Sequence, residues 1–391
     1  MPGPVPDIPM MNQPRRALEQ SQELDPLIQP MHMAIVIAGL GAGGAERVVS
    51  LLAGGWVSKG HRITMITFEE EGAPVFHQLD PGVRVLRLGN RVGRGRLGAV
   101  RTVLRRYLRL RRTLNSLQPD VTISFLTKIN VLTMLASLGT GRKVVISERN
   151  NPQLQHASRL WTWALRRLHW RADAIVMPTS ASLECLDAAA RKRAAIIPNP
   201  ITIDVARRVE GAEFVLAATG RLTWQKGFDL LLDAFARIAE RHPKWKLVIW
   251  GEGEERAALE QRIRDRGLAH RVTMPGNSRS PEEWVRQADA FVLSSRHEGF
   301  SNALGEALVA GLPVASFDCA YGPADMIRHG ENGLLAANGD VSALAAELDR
   351  LMGDADLRLR LGRAARSIEQ RLRPSTIVAR WEQLVQQLAA R

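Results

Sequence analysis

At 391 residues, 45% apolar and 24% charged, the chain is too long for one ordinary core and reads as a soluble globular protein of two domains. No apolar run reaches the 18 or so residues that a membrane-spanning helix needs, and two cysteines, Cys185 and Cys319, make neither a disulfide framework nor a zinc site and fit a reducing cytoplasm. The formal charge of +13 points to anionic partners: nucleic acid, phospholipid head groups or phosphorylated small molecules.

Residues 1–30 are rich in Pro, Gln and Met, without the compact apolar stretch of a secretory signal, and read as a disordered extension. From Met33 short β-branched runs alternate with amphipathic stretches. Ala34–Ala38, Ile63–Phe68, Val121–Phe125, Val144–Ser147 and Ala174–Met177 are expected strands, with a helix over Ala45–Lys59. The first strand runs into a glycine loop in which Gly39, Gly41 and Gly44 have the G-x-G-x-x-G spacing, with Gly43 between, and Glu69 follows near the end of the second strand. Glycines let backbone N–H groups approach phosphate oxygens, and the helix start attracts negative charge. An NAD(P)-dependent oxidoreductase, a phosphate-binding transferase and a plain tight turn all remain open on this loop alone.

Between Arg91 and Arg112 stand nine arginines and no acidic residue. Arg101, Arg105, Arg106 and Arg109 alternate with Leu104, Tyr107 and Leu108 at helical spacing. A second stretch, Arg159 to Arg171, mixes Trp161, Trp163 and Trp170 with Arg166, Arg167 and His169. Arginine with tryptophan on amphipathic helices suits an anionic membrane surface, for which Arg101, Arg105, Arg106, Arg109, Trp161 and Trp163 are the candidate contacts. The other reading is a solvated helical face over core tryptophans. No DNA- or RNA-binding motif accompanies the charge, so nucleic acid is not an expected partner.

After Pro198-Asn199-Pro200 the alternation starts again. Phe214–Ala218, Leu247–Trp250, Val272–Met274, Ala290–Leu293 and Pro313–Ser316 are expected strands, and Phe228–Arg241, Ala257–Arg266 and Ser342–Met352 expected helices. Repeated alternation implies parallel sheets covered on both faces, with ligands beyond the carboxyl ends of the strands. Gly220-Arg221-Leu222 to Gln225-Lys226-Gly227 follows the first of these strands. A diphosphate there would meet a forked guanidinium, an ammonium and backbone donors; a solvated basic loop is the other reading. After Ala290–Leu293 come Glu298 in a turn and Glu306 eight residues on, in the next helix, with Gly299, Phe300, Ser301, Asn302 and Ala303 between them. Two carboxylates so placed reach hydroxyls at opposite ends of a polar ligand, and the intervening N–H groups suit a phosphate or sugar oxygen. Asp354 and Asp356 form an Asp-x-Asp pair read as helix-start capping rather than a metal site. Ile377, Trp381, Leu384 and Leu388 give residues 374–391 a helical apolar stripe.

Together these features resemble glycosyltransferase family 4, the retaining enzymes of the GT-B fold. The resemblance runs from about Met33 to Arg391 and rests on Glu298-x7-Glu306, Gly220-Arg221-Leu222 with Gln225-Lys226-Gly227, Pro198-Asn199-Pro200-Ile201 and the Gly41–Glu46 loop, in order. It implies an α/β architecture of two facing Rossmann-like domains, 31–200 on the acceptor side and 201–373 on the nucleotide-sugar side, with 374–391 crossing back as a helix. It implies transfer of a hexosyl or N-acetylhexosaminyl group from a UDP-sugar to a glycan or lipid-linked acceptor of cell-surface polysaccharide or glycolipid synthesis. The enzyme would be peripheral on the inner face of the plasma membrane and would need no cofactor and no metal.

Residue by residue, the resemblance implies that Arg221 and Lys226 bind the donor diphosphate and that Glu306 takes the ribose. Glu298 would hold the donor sugar among backbone donors from Gly299 to Ala303. Asn277 and Ser278 would border the base. Gly220, Asn199 and the Gly41, Gly43 and Gly44 loop would complete the donor site. Many relatives carry a histidine in the first domain. Here the stretch reads Ser147-Glu148-Arg149-Asn150-Asn151-Pro152, with His156 later, and Glu148 and Arg149 are read either as facing the acceptor or as a surface ion pair.

Overall fold

A computed structural model describes residues 29–41, 43–89, 95–149, 159–204 and 213–390. The extension read over residues 1–30 falls outside them up to residue 28, as do Asn150, Asn151, Pro152 and His156.

The expected alternation is present as two wholly parallel sheets. The first holds β1 (His32–Val36), β2 (Arg62–Thr67), β3 (Val83–Arg87), β4 (Val121–Phe125), β5 (Lys143–Ser147), β6 (Ala174–Met177) and β7 (Ala194–Ile196), in the order β3-β2-β1-β4-β5-β6-β7. The second holds β8 (Phe214–Thr219), β9 (Trp245–Trp250), β10 (Val272–Gly276), β11 (Ala290–Leu293), β12 (Val314–Asp318) and β13 (Leu334–Ala337), in the order β10-β9-β8-β11-β12-β13. The two orders share one logic, in which the first strand of each sheet lies beside the fourth. The connections reverse direction between those strands, which leaves a crevice at their carboxyl ends.

The central strands are covered on both faces, so β1, β4 and β11 are buried along their whole length: β11 is an unbroken apolar run, and β4 admits only the small polar side chains of Thr122 and Ser124. The strands not anticipated from sequence, β3, β7 and β13, are short or partly exposed, so their hydrophobic signal is weak. The expected helix Phe228–Arg241 stops at Ala236 and is followed by a separate 3-10 turn, Ala239–Arg241. Asp354 caps its helix by accepting from the Leu357 N–H at 2.9 Å, as its position at a helix start suggested.

The final helix, Pro374–Ala389, belongs by contact to the first half of the molecule. Ile377, Trp381, Val385 and Leu388 are buried in the cluster built by β1, β4 and the helix Gly44–Val57, and Trp381 meets Trp56 edge to face at 6.0 Å between ring centres. Glu382 in this helix bonds the buried His61 at 3.0 Å. The chain therefore crosses between the two sheets twice, once through Pro198–Ile201 and once through this helix. Ile201 packs in the second half, and its N–H bonds Leu372 O at 2.9 Å.

Candidate functional site

The crevice of the second sheet lies between the carboxyl ends of β8 and β11, and each strand delivers one of the clusters singled out in sequence. After β8 the chain turns through Gly220, leaves Arg221 exposed, and makes a 3-10 turn, Trp224–Lys226. Gly227 then starts the helix Phe228–Ala236 with φ of +63°. A Cβ on Gly227 would lie 2.1 Å from the Ser294 carbonyl oxygen, so only glycine lets this loop touch the end of β11.

That contact is dense. Ser294 Oγ donates to Lys226 O at 2.9 Å, Arg296 N–H to Gln225 O at 2.8 Å, and Gln225 Nε2 to His297 O at 3.0 Å. Arg296 lies over the Trp224 ring at 4.7 Å and forks onto Asp229 at 2.7 and 2.8 Å. The outcome is an ion pair between Lys226 Nζ and Glu298 Oε1 at 2.7 Å, with Ser295 Oγ donating to the same oxygen at 2.6 Å. Glu298 is buried, so its charge is held by a cation and a hydroxyl rather than by water.

Glu306 sits one helix further on. Ser301 caps that helix, Asn302–Val309, by accepting from the Leu304 N–H. Glu306 is buried, and burial pushes its carboxyl above the usual range, opposed by Arg47. Arg47, in the helix Gly44–Val57 of the first half, forms an ion pair with Glu306. It was not anticipated, although its place directly after Gly43-Gly44-Ala45-Glu46 was the available signal.

Other cross-links join the halves here. Asn199 Nδ2 donates to Asn302 Oδ1 at 2.7 Å, and a Cβ on Gly44 would stand 3.0 Å from Asn302 Nδ2. The glycine loop thus approaches the Glu298–Glu306 segment from across the cleft. Of the residues singled out in sequence, Lys226 and Glu298 meet directly, Gly299 to Ala303 lead from Glu298 into the helix that carries Glu306, and Arg221 stands exposed in the loop after β8. Asn277 and Ser278 follow the edge strand β10, two strands away from β8, where Ser278 Oγ donates to Ser280 O at 3.0 Å.

The glycine loop itself is a poor diphosphate cradle. Glu69 turns back so that its carboxylate accepts from the Leu40 N–H at 3.0 Å, and a Cβ on Gly39 would lie 2.3 Å from it. Glu46 stands against Gly43, its carboxyl raised by burial and, to a lesser degree, by Glu69. Two carboxylates at the loop repel an anion. The acidic residue that would hold a dinucleotide ribose is already engaged, which removes the basis for the oxidoreductase reading.

One sequence expectation is corrected. Glu148 and Arg149 do not form a surface ion pair; both are buried, at 1% and 4% exposure. Glu148 accepts from Thr127 Oγ1 at 2.9 Å and Asn130 Nδ2 at 2.6 Å, and burial, against those two hydrogen bonds, raises its pKa to about 7. Arg149 donates to Ile197 O and Asn199 Oδ1, both at 2.9 Å, and lies 5.6 Å from the Phe125 and Trp381 ring centres. Its Nη1 thus holds the crossing chain, and its Nε and Nη2 have no partner among the described residues. The membrane candidates divide between packed and exposed positions. Trp161 is half-buried between two core clusters. Arg106 lies over the Phe68 ring at 5.4 Å, and Arg109 donates to Leu88 O. Arg101, Arg105 and Trp163 are exposed.

Comparison with known proteins agrees with this geometry. Residues 202–368 match the family described as Glycosyl transferases group 1, and residues 42–205 match Glycosyltransferase Family 4. An exopolysaccharide phosphotransferase of Streptomyces coelicolor is 33% identical over 72% of this chain and 30% of its own length. A GalNAc-alpha-(1->4)-GalNAc-alpha-(1->3)-diNAcBac-PP-undecaprenol alpha-1,4-N-acetyl-D-galactosaminyltransferase of Campylobacter jejuni is 26% identical over 91% of this chain and 98% of its own. For several curated relatives the matched part spans only 30% to 62% of their length. Among solved structures, Anabaena HepE in complex with UDP and glucose superposes with a TM-score of 0.75 at 20% identity, covering 92% of this chain and all of that one.

Proposed function

The chain belongs to glycosyltransferase family 4, with the GT-B fold, and on that premise we propose that it transfers a sugar from a UDP-sugar to a hydroxyl of a glycan or lipid-linked acceptor, with retention at the anomeric carbon. The observation that carries this reading is the Lys226–Glu298 pair, with Lys226 in the same loop as Arg221 and Glu298 followed by Glu306 in the next helix. As the bond from the anomeric carbon to the diphosphate breaks, negative charge grows on the leaving oxygen, and fixed cations stabilise it there. Lys226 and Arg221 are those cations, and they stand in for the metal that other transferases use. Glu298 then orients the sugar hydroxyls and Glu306 the ribose.

The UDP assignment is supported by the ligand of the Anabaena structure, and the acceptor class by the name of the Campylobacter relative. A place on the inner face of the plasma membrane is supported by the helix Gly95–Leu117, which exposes Leu97, Val100 and Leu104 beside Arg101 and Arg105. Among the described residues no helix is long and apolar enough to cross a membrane. Replacing Leu97 and Leu104 by Ser would release the protein from phosphatidylglycerol vesicles; unchanged flotation would return this helix to an ordinary solvated face.

Calorimetry with UDP, alongside initial rates at saturating donor, tests the core assignment. Glu306→Gln should weaken UDP by about 1 to 3 kcal/mol, the range for a hydrogen bond to a charged group. Glu298→Gln should leave UDP affinity nearly unchanged and lower kcat, because placement of the sugar is what the reaction requires. Equal loss of UDP in both variants would reverse the sugar and ribose ends. Activity that EDTA abolishes and magnesium restores would remove Arg221 and Lys226 from the role of leaving-group cations.

A further inference from the structure

The helix Arg159–Leu168 and the 3-10 turn His169–Arg171 carry chemistry that the cleft does not use. His169 is 4% exposed, and neither ring nitrogen has a partner among the described residues. A buried polar group without a partner destabilises a fold, so its presence calls for a ligand to it. Burial lowers its pKa to about 4, against a smaller opposing pull from Asp187. The ring is therefore neutral near pH 7, with one N–H to donate.

The ring stands between two spaces. On the inner side it shares a cavity of about 10 Å³, room for about one water, with Glu148 and Cys185. The Cys185 thiol donates to Tyr321 Oη of the second half at 3.3 Å, which places this inner wall beside the interdomain cleft. On the outer side His169 meets an open groove of about 510 Å³, walled by Trp163, Arg166, Arg167, Trp170, Arg193 and Asp187.

Three guanidinium groups thus face one carboxylate. Arg193 is pinned by donating to Trp170 O at 2.8 Å and Ala172 O at 3.2 Å, and Arg167 lies 5.8 Å from the Trp163 ring centre. Asp187 is committed to the Ala190 N–H at 2.8 Å. Two indoles, Trp163 at 57% and Trp170 at 64%, and Leu160 at 67%, remain exposed. Clustered cations with exposed indoles match an anionic head group attached to a hydrocarbon chain.

We propose that this groove is a second anion site, which receives the phosphate or diphosphate head of a lipid-linked acceptor. Arg166, Arg167 and Arg193 take the phosphoryl oxygens, the His169 N–H is the buried donor, and Trp163 and Trp170 lie along the first isoprenoid units. The substrate class rests on the transferase reading; the anion site rests on the groove alone.

The test is calorimetry on the full chain with farnesyl diphosphate as titrant and saturating UDP present to occupy the donor cleft. Wild type should bind farnesyl diphosphate and not farnesol, with inorganic diphosphate binding more weakly. His169→Leu, which replaces an unpaired imidazole by an apolar side chain of similar size, should weaken farnesyl diphosphate at least tenfold. It should leave UDP affinity intact and thermal stability unchanged or raised. Arg166→Gln, at an exposed position, should weaken farnesyl diphosphate likewise. Undiminished binding in both variants overturns the site. Inorganic diphosphate bound as tightly as farnesyl diphosphate overturns the lipid assignment in favour of a free phosphate. Loss of phosphatidylglycerol vesicle binding in His169→Leu, with farnesyl diphosphate unaffected, overturns it in favour of bulk membrane. A chain that binds farnesyl diphosphate but never UDP would sink the transferase reading and leave the anion site standing.

Discussion

Glu148 and Glu298 both follow the carboxyl end of a parallel strand, and both are buried, but they are held in opposite ways. Glu298 has the Lys226 ammonium at 2.7 Å and a serine hydroxyl beside it. Glu148 has only neutral donors, a threonine hydroxyl and an asparagine amide, and its carboxyl titrates at about 7. A buried carboxylate with a cation is held ready as a charge, whereas one with neutral partners drifts toward the proton. The second half of the molecule thus sets an ammonium–carboxylate pair beyond the end of β11, and the first half holds a carboxyl that changes charge near neutrality.

The largest expected effect separates these two environments. Lys226→Met leaves Glu298 buried without its cation, which costs about 3 to 5 kcal/mol for a broken buried pair. It should also lower kcat by about a hundred- to a thousandfold, the scale of losing one charge-stabilising group. Adding Glu298→Gln should restore most of the stability and none of the rate. If rate returned with stability, the pair would be a structural clamp only.

Glu148 should respond to pH in the opposite sense from an ordinary paired carboxylate. Its folded pKa is about 7 against 4.5 for the free group. Burial of the carboxyl therefore carries no ionisation penalty below pH 4.5; the penalty grows as pH rises from 4.5 to 7 and is complete above it. Glu148→Gln should be more stable than wild type by about 3 kcal/mol at pH 8, because each tenfold change in proton affinity is worth roughly 1.4 kcal/mol, and no more stable near pH 4.5. Urea denaturation at the two pH values reads the difference directly. An advantage that does not change with pH would mean that Glu148 keeps its charge through an unseen partner.

The smallest effect concerns the bridge between the halves. Arg47→Met and Glu306→Gln, measured singly and together, should show a coupling of about 0.5 to 3 kcal/mol in unfolding free energy, because the groups form one ion pair across the cleft. Purely additive changes would place Arg47 in solvent and Glu306 in the hands of burial alone.

Much of the architecture was legible along the chain because it depends on short-range order. Val121–Phe125, Ala174–Met177 and Ala290–Leu293 are strands at the expected bounds, since strands covered on both faces favour apolar and β-branched residues with few and small polar ones. Gly227 and the Ser301 cap are also local: a positive φ and a helix start each demand a particular residue type on the spot. What only the tertiary structure decided are the pairings. Lys226 and Glu298 are 72 residues apart and meet because β8 lies beside β11. Arg47 and Glu306 are 259 residues apart and meet because the two sheets face each other. Arg149 reads in sequence either as facing an acceptor or as half of a surface ion pair; it is buried against the crossing segment, 5.6 Å from the ring centre of Trp381, a residue more than two hundred positions away. Charge partners of this kind are chosen by strand order and by the returning C-terminal helix, and neither leaves a mark in the residues next to the charge.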